Sequence, residues 1–533
     1  MRPKRDTQPT SKTNDTGRQR RPHRPLGQGV SLLHADTVVI GGGTAGAAVA
    51  GLLAENSEQS VLLLEAGPDY GPLDSGRWPR ELLDAGAIPL THDWGYRSDE
   101  EASRVITFER ARVIGGCSSH NGCAAIWGSS VDYDGWAALG NPGWSTNELR
   151  PLFHAASERL RVRIPAAEEV APFQRLAMDA AAAAGIPRVA DLNNLDENIG
   201  MAPSPANIVD GIRWNTAFAY LDPVRERSNL TIVGDAACDR LEIESGRVNA
   251  VVVAGRDGPV RVEAGRVIVA AGTYGSPAIL LRSGIGDPSE LRAAGITPTH
   301  NLSGVGRNLH DHPRVTLNYA GTRELEEMMA AFGRDHWMPE EQTIAKARSS
   351  RCREAFDLHI YPVGGRDRRT ANGWNWALEV ACLTPRSRGA LRLASADCTS
   401  APIIDHRYLS DPDDEDKRVL ADGVAIAREI AAQPALSRLA GGEISPGSSV
   451  ASRGEIEAFV KANCLHYFHP VGTCRMGRAS DAFAVVDSWG RIHGLENAFV
   501  ADASIMPVIP RANTNLPALV VGERIARWLF EAR

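Results

Sequence analysis

The sequence predicts an α/β protein built around a Rossmann-like nucleotide-binding part. Three observations predict it. A buried strand, Thr37-Val38-Val39-Ile40, runs into Gly41-Gly42-Gly43-Thr44-Ala45-Gly46; a small-residue helix from Ala47 to Ala54 follows, then an apolar strand from Val61 to Leu64 closed by Glu65. A further buried strand from Val267 to Ala271 breaks at Gly272 and restarts as a helix after Pro277. The alternation of Phe356, Leu358 and Ile360 with Asp357, His359 and Tyr361 reads as a strand with one polar face.

The first of these elements is a βαβ unit with an acid about 20 residues after its last glycine. Gly41 makes the tight turn, Gly43 lets a pyrophosphate approach beside Thr44 and Ala45, and Gly46 allows close helix–strand packing. The helix N-terminus suits the phosphates, and Glu65 suits the ribose hydroxyls. A Gly-x-Gly-x-x-Gly alone is weak; here strand, helix, second strand and acid all stand in place.

Size and composition bound the rest. At 533 residues the chain exceeds a usual single domain, so two packed domains are expected. An apolar fraction of 43% with 23% charged residues is ordinary for a globular enzyme, and a net charge of −7 gives no basic footprint for nucleic acid. No apolar run approaches the roughly 20 residues of a membrane span. The eight cysteines are scattered without a Cys-x-x-Cys, which indicates neither a metal site nor a disulfide framework; a cytoplasmic location is expected. Residues 1–34 carry Arg2, Lys4, Arg5, Lys12, Arg18, Arg20, Arg21 and Arg24 among Pro, Ser, Thr and Gln. They read as a disordered basic tail, because Arg20-Arg21 is followed by Pro-His-Arg-Pro instead of the apolar core of an export signal.

The motifs beyond the βαβ unit carry a family resemblance. Residues 115–127 read Gly-Gly-Cys-Ser-Ser-His-Asn-Gly-Cys-Ala-Ala-Ile-Trp; residues 266–284 contain Ala-Ala-Gly-Thr-Tyr-Gly-Ser-Pro; residues 469–473 read His-Pro-Val-Gly-Thr. Ala501-Asp-Ala-Ser-Ile-Met-Pro and Asn513-Thr-Asn-Leu-Pro follow. In this order, from about residue 36 to 530, the chain resembles the glucose-methanol-choline (GMC) oxidoreductases, its motifs coming nearest to the choline oxidase branch. The resemblance implies FAD in place of NAD, a view shared by the loss of βα alternation after Glu65. It implies that FAD is bonded covalently to His120, with Gly116, Ser119, Asn121, Gly122 and Ala124 around the flavin. It places Ala237 at the adenine, and Ala271, Asp502, Ala503, Asn513 and Thr514 at the cofactor. It also implies interleaved domains: residues 35–160, 225–318 and 466–533 for FAD, and 161–224 and 319–465 for an antiparallel-sheet substrate domain.

Alcohol oxidation needs a group that takes the hydroxyl proton while hydride leaves the α-carbon. By resemblance that group is His469, with Asn513 as its polar partner; Asn515 is expected to cap the last helix. His466 has no match in the family motif and reads as a packed or surface imidazole. His359 matches a substrate-pocket histidine, Trp78 one wall of an aromatic cage, and Phe468 a cage tyrosine. Arg314, in His310-Asp-His-Pro-Arg, stands where the choline oxidase branch has its ammonium-binding glutamate. The inversion argues against choline and for an alcohol with an anionic or strongly accepting group, the alternative being an Arg314 turned onto an acid such as Asp311. Tyr467 replaces a small valine, which leaves oxidase against dehydrogenase open.

Three functions therefore compete: an FAD-dependent primary alcohol oxidase, a dehydrogenase using an acceptor other than oxygen, or a redox-silent lyase on the same fold. The expected partners are a small alcohol and molecular oxygen or another electron acceptor. Nucleic acid and a membrane span are not expected, and a homodimer is kept open.

Overall fold

The computed structural model describes residues 34–98, 105–196, 199–255, 258–339, 341–366 and 374–531. The basic tail up to residue 33 lies outside the described residues.

Two seven-stranded sheets organise these residues. The first runs in the order Leu230–Val233, Val61–Leu64, His34–Ile40, Val260–Val269, Arg247–Val253, Cys238–Glu244, with Ala498–Val500 paired to Val260–Val269. Its first four strands and Ala498–Val500 pair in parallel, and the remaining ladders are antiparallel. Strands covered on both faces must be apolar throughout, and Val61–Leu64 is buried at every residue. The helix Thr44–Asn56 covers one face with Ala47 to Ala54 fully buried, and Asn515–Glu531 packs on it.

Gly46 shows why the turn needs glycine. A Cβ there would lie 1.9 Å from the Gly41 carbonyl oxygen, while Gly41 itself has φ +98°, a left-handed conformation disfavoured for other residues. The helix expected after Pro277 instead spans Gly272–Arg282, with the proline inside it. Pro277 has no N–H for the Thr273 carbonyl, and the Thr473 hydroxyl donates to that oxygen at 2.6 Å in its place.

The second sheet is antiparallel: Ala440–Ser445, Pro313–Gly321, Trp374–Cys382, Leu358–Arg366, Thr343–Ala347, Gly200–Pro203, with Leu465–His466 on Pro313–Gly321. Pro313–Gly321 alternates between buried and half-buried residues, with Val315, Leu317 and Tyr319 in the apolar core. Helices Pro172–Ala183 and Glu415–Ala431 close the core side with Val419, Leu420, Val424 and Ile430. Register places Thr316, Glu379 and Tyr361 in one row and Arg314, Ala381 and His359 in the next. Charged and aromatic side chains from three separate segments therefore share one surface.

Candidate active site

One elongated cavity of about 550 Å³ runs from the glycine turn of the first sheet to the odd-numbered face of Leu358–Arg366. Its nucleotide end is lined by Gly41, Gly43, Thr44, Ala45, Glu65 and Ala237. The helix Thr44–Asn56 begins here with no side-chain cap, so its first-turn N–H groups are available to an anion. The Glu65 carboxylate accepts from the Gly42 and Gly67 amides, both at 2.8 Å, and burial raises its pKa. Asn515 does not cap the last helix: it is that helix's first residue, and its Oδ1 accepts from the Thr44 hydroxyl at 2.8 Å.

The cavity is also lined by Gly116, His120, Asn121, Gly122, Ala124, Ala271, Asp502, Ala503 and Thr514. Gly116 packs against Gly43 so closely that a Cβ on it would lie 2.6 Å from the Gly43 Cα, so only glycine lets the two backbones meet here. His120 donates from Nε2 to the Thr91 carbonyl at 2.8 Å, and burial lowers its pKa. The imidazole is therefore neutral with its lone pair on Nδ1. Two expected cofactor residues stand behind the wall. Ser119 donates to the Ile114 carbonyl at 2.9 Å, and Gly46 acts through packing alone. The cradle fits FAD: a helix N-terminus for phosphates, a buried acid for ribose, and small residues, Gly116, Gly122 and Ala271, that leave room in the cavity for a planar ring.

The far end holds the expected chemistry. His469, Asn513, Phe468 and Arg314 all line it. The His469 backbone N–H donates to Asp311 at 2.9 Å, and its Nδ1 lies 3.0 Å from the Nδ1 of His312. Burial holds His469 well below the ordinary histidine range and brings His312 down to about 3, so both rings are neutral. With Nδ1 engaged, Nε2 is the His469 nitrogen left for a ligand. Asn513 is hydrogen-bonded to the Tyr467 phenol, and its Oδ1 has no partner among the described residues. Phe468 has a positive φ of 64°, and the Arg110 guanidinium holds its carbonyl at 3.0 Å. This departure from usual backbone geometry lies directly before His469.

Three expectations need correction. Trp78 is buried away from the cavity: its indole donates to the Gly71 carbonyl at 2.9 Å and packs edge-on against Phe218. His359 is on the same sheet as the lining Tyr361 but fully buried, a row away and off the cavity wall, with its ring edge-on to Tyr467 at 6.3 Å. Arg314 neither meets Asp311 nor presents a free charge: it forms an ion pair with Glu379 and donates from Nε to the His466 carbonyl at 2.7 Å. A carboxylate therefore does stand in the pocket, supplied by the neighbouring strand. Sequence reading missed Glu379, although an isolated acid in the apolar run Trp374–Cys382 was a usable signal. It also missed Tyr361 and Glu341 as lining residues. His466 is packed against Phe108, 3.5 Å from Glu109, and at a pKa of about 3 it stays neutral.

Fold and cavity together define a dinucleotide-binding protein whose cavity is also lined by His469 and Asn513. Family models for the N- and C-terminal parts of GMC oxidoreductases match residues 35–314 and 385–522. The chain is 33% identical to an oxygen-dependent choline dehydrogenase of Chromohalobacter salexigens, covering 92% of this chain and 94% of that protein. It is 35% identical to one of Stenotrophomonas maltophilia, with the same coverage. Among solved structures, pyridoxine 4-oxidase from Mesorbium loti superposes with a TM-score of 0.83 at 30% identity, over 92% of this chain and 98% of that one. A formate oxidase variant from Aspergillus oryzae gives 0.81 at 23% identity, over 94% and 98%, a likeness of fold. The chain belongs to the GMC oxidoreductase family and is an FAD-dependent oxidoreductase. Among the described residues no helix is long and apolar enough to cross a membrane.

Proposed function

We propose that this protein oxidises a primary alcohol to the aldehyde, and that choline is not its preferred substrate. The observation that carries the reading is the position of His469 and Asn513, which line the same cavity as the nucleotide cradle. Bound FAD supplies the hydride acceptor, and molecular oxygen or another electron acceptor then takes the electrons. The protein's part is to hold the alcohol and move its proton. When the Nδ1 proton of His469 is donated to His312, Nε2 keeps its lone pair for the hydroxyl proton as hydride departs from the α-carbon. Asn513 donates to the alcohol oxygen without competing as a base. The anchor on Asp311 and the strained Phe468 fix the ring, so little reorganisation is needed at the moment of transfer.

His120 is the proposed point of covalent attachment, supported by its place in the cavity wall and the free lone pair on Nδ1. The proposed division into an FAD part (35–160, 225–318, 466–533) and a substrate part (161–224, 319–465) draws support from the first sheet, whose strands fall in the FAD part, although Pro313–Gly321 of the second sheet crosses the 318/319 boundary. Anaerobic mixing of the holoprotein with a panel of alcohols tests the activity. Loss of the oxidised flavin absorbance is the expected result, and its rate of recovery on admitting oxygen separates oxidase from dehydrogenase. A flavin that stays oxidised with every alcohol overturns the reading in favour of a redox-silent lyase.

A further inference from the structure

Glu379 and Arg314 are joined more specifically than a generic ion pair. Tyr361 faces Glu379 directly across the ladder, and its phenol donates to Oε2 at 3.2 Å; the Arg314 Nη1 pairs with the same oxygen from the adjacent row. The Nε of Arg314 is taken by the His466 carbonyl, which fixes the plane of the guanidinium. That leaves Glu379 Oε1 and Arg314 Nη2 without a protein partner among the described residues, on two side chains each 13% exposed and both lining the cavity.

We infer that Glu379 and Arg314 form a donor–acceptor clamp for the end of the substrate remote from its reacting hydroxyl. The clamp selects an alcohol whose far end carries an adjacent hydrogen-bond donor and acceptor, such as a carboxamide. This rests on the proposed alcohol oxidation and names its substrate class. Because each charge neutralises the other, a lone cation or lone anion gains from one member of the pair and is repelled by the other. A group offering N–H beside C=O satisfies both at once. Spacing sets the rest of the substrate: Tyr361 stacks on Tyr467 at 5.4 Å, and Tyr467 lies 4.3 Å from His469, ring centre to ring centre. The clamp is thus two ring contacts from the catalytic imidazole, a span suited to a substrate with an aromatic ring between its hydroxymethyl group and its polar end. Glu109 and Glu341 also line the cavity.

The test uses the holoenzyme with benzyl alcohol and its para-carboxamide, para-carboxylate and para-trimethylammonium derivatives. Anaerobic stopped-flow should give the carboxamide a second-order rate of flavin reduction at least about tenfold above the other three. Glu379→Gln leaves Arg314 unpaired and should move the preference to the carboxylate. Arg314→Met leaves Glu379 unpaired and should move it to the trimethylammonium compound. A wild-type enzyme that ranks either ion first overturns the clamp, as do two folded variants that lower all four rates alike. Should a variant fail to fold, the wild-type order alone decides. Benzamide, benzoate and phenyltrimethylammonium, which carry no hydroxyl, are titrated in parallel against the bound flavin's absorbance. If no alcohol reduces the flavin, the oxidation reading fails, while their order of binding still supports or overturns the clamp.

Discussion

His312 and His469 meet Nδ1 to Nδ1 at 3.0 Å, with their rings perpendicular, so only one of the two nitrogens carries the proton between them. The pair fixes which face of His469 remains for chemistry. Both rings are neutral because burial penalises imidazolium more than any neighbouring group favours it. A neutral imidazole keeps a lone pair that can accept a hydroxyl proton, which an imidazolium lacks.

His469→Ala should lower the anaerobic rate of flavin reduction by at least about 10²-fold, the lower end for positioned acid–base catalysis, with flavin content unchanged. Stopped-flow absorbance checks it. A variant reducing its flavin at the normal rate would remove His469 from the mechanism.

The pH dependence should report Asp311. Burial raises its carboxyl from 3.8 to about 6, and its Oδ1 accepts the backbone N–H of His469. As pH falls through about 6 the carboxylate is protonated, its hold on His469 weakens, and flavin reduction slows. Stability follows the opposite course. The folded state binds this proton more tightly than the unfolded chain, so the contribution is fully present below 3.8 and is lost as pH rises through about 6. Asp311→Asn should flatten the acid limb of the rate profile; an unchanged limb assigns it elsewhere.

His120→Ala should release the flavin. Acid precipitation of the wild type is expected to leave yellow colour in the pellet, and the same treatment of the variant should leave it in the supernatant. Free FAD from the wild type would count against the bond to His120, though not against FAD binding.

Gly46→Ala tests the nucleotide turn. The added methyl would sit 1.9 Å from the Gly41 carbonyl oxygen, backbone against backbone, so the helix must move off the strand. A loss of about 1–3 kcal/mol, the usual range for overpacking, is expected in denaturant unfolding, together with reduced flavin content. A variant with wild-type stability and flavin content would show that the turn yields easily.

What the sequence determined by itself was everything set by local pattern. The βαβ unit is legible because glycines at 41, 43 and 46, an apolar strand on each side and Glu65 are all contained in about 30 residues. His469 and Asn513 were legible for a related reason: each lies within a short motif whose neighbours identify it. Only the tertiary structure decided what Arg314, Trp78, His359 and Ser119 touch. Arg314 owes its partner to ladder register, since Glu379 lies 65 positions later in sequence but diagonally adjacent across one antiparallel pair. His359 has the strand parity expected of a pocket residue, yet it is fully buried and off the cavity wall, with Phe356 and Tyr467 against its ring. Trp78 turns inward because its indole finds the Gly71 carbonyl and a ring contact with Phe218. Side-chain periodicity can be read along a chain, but charge pairing and burial depend on which strands become neighbours, and that is settled only when the two sheets close on one cavity.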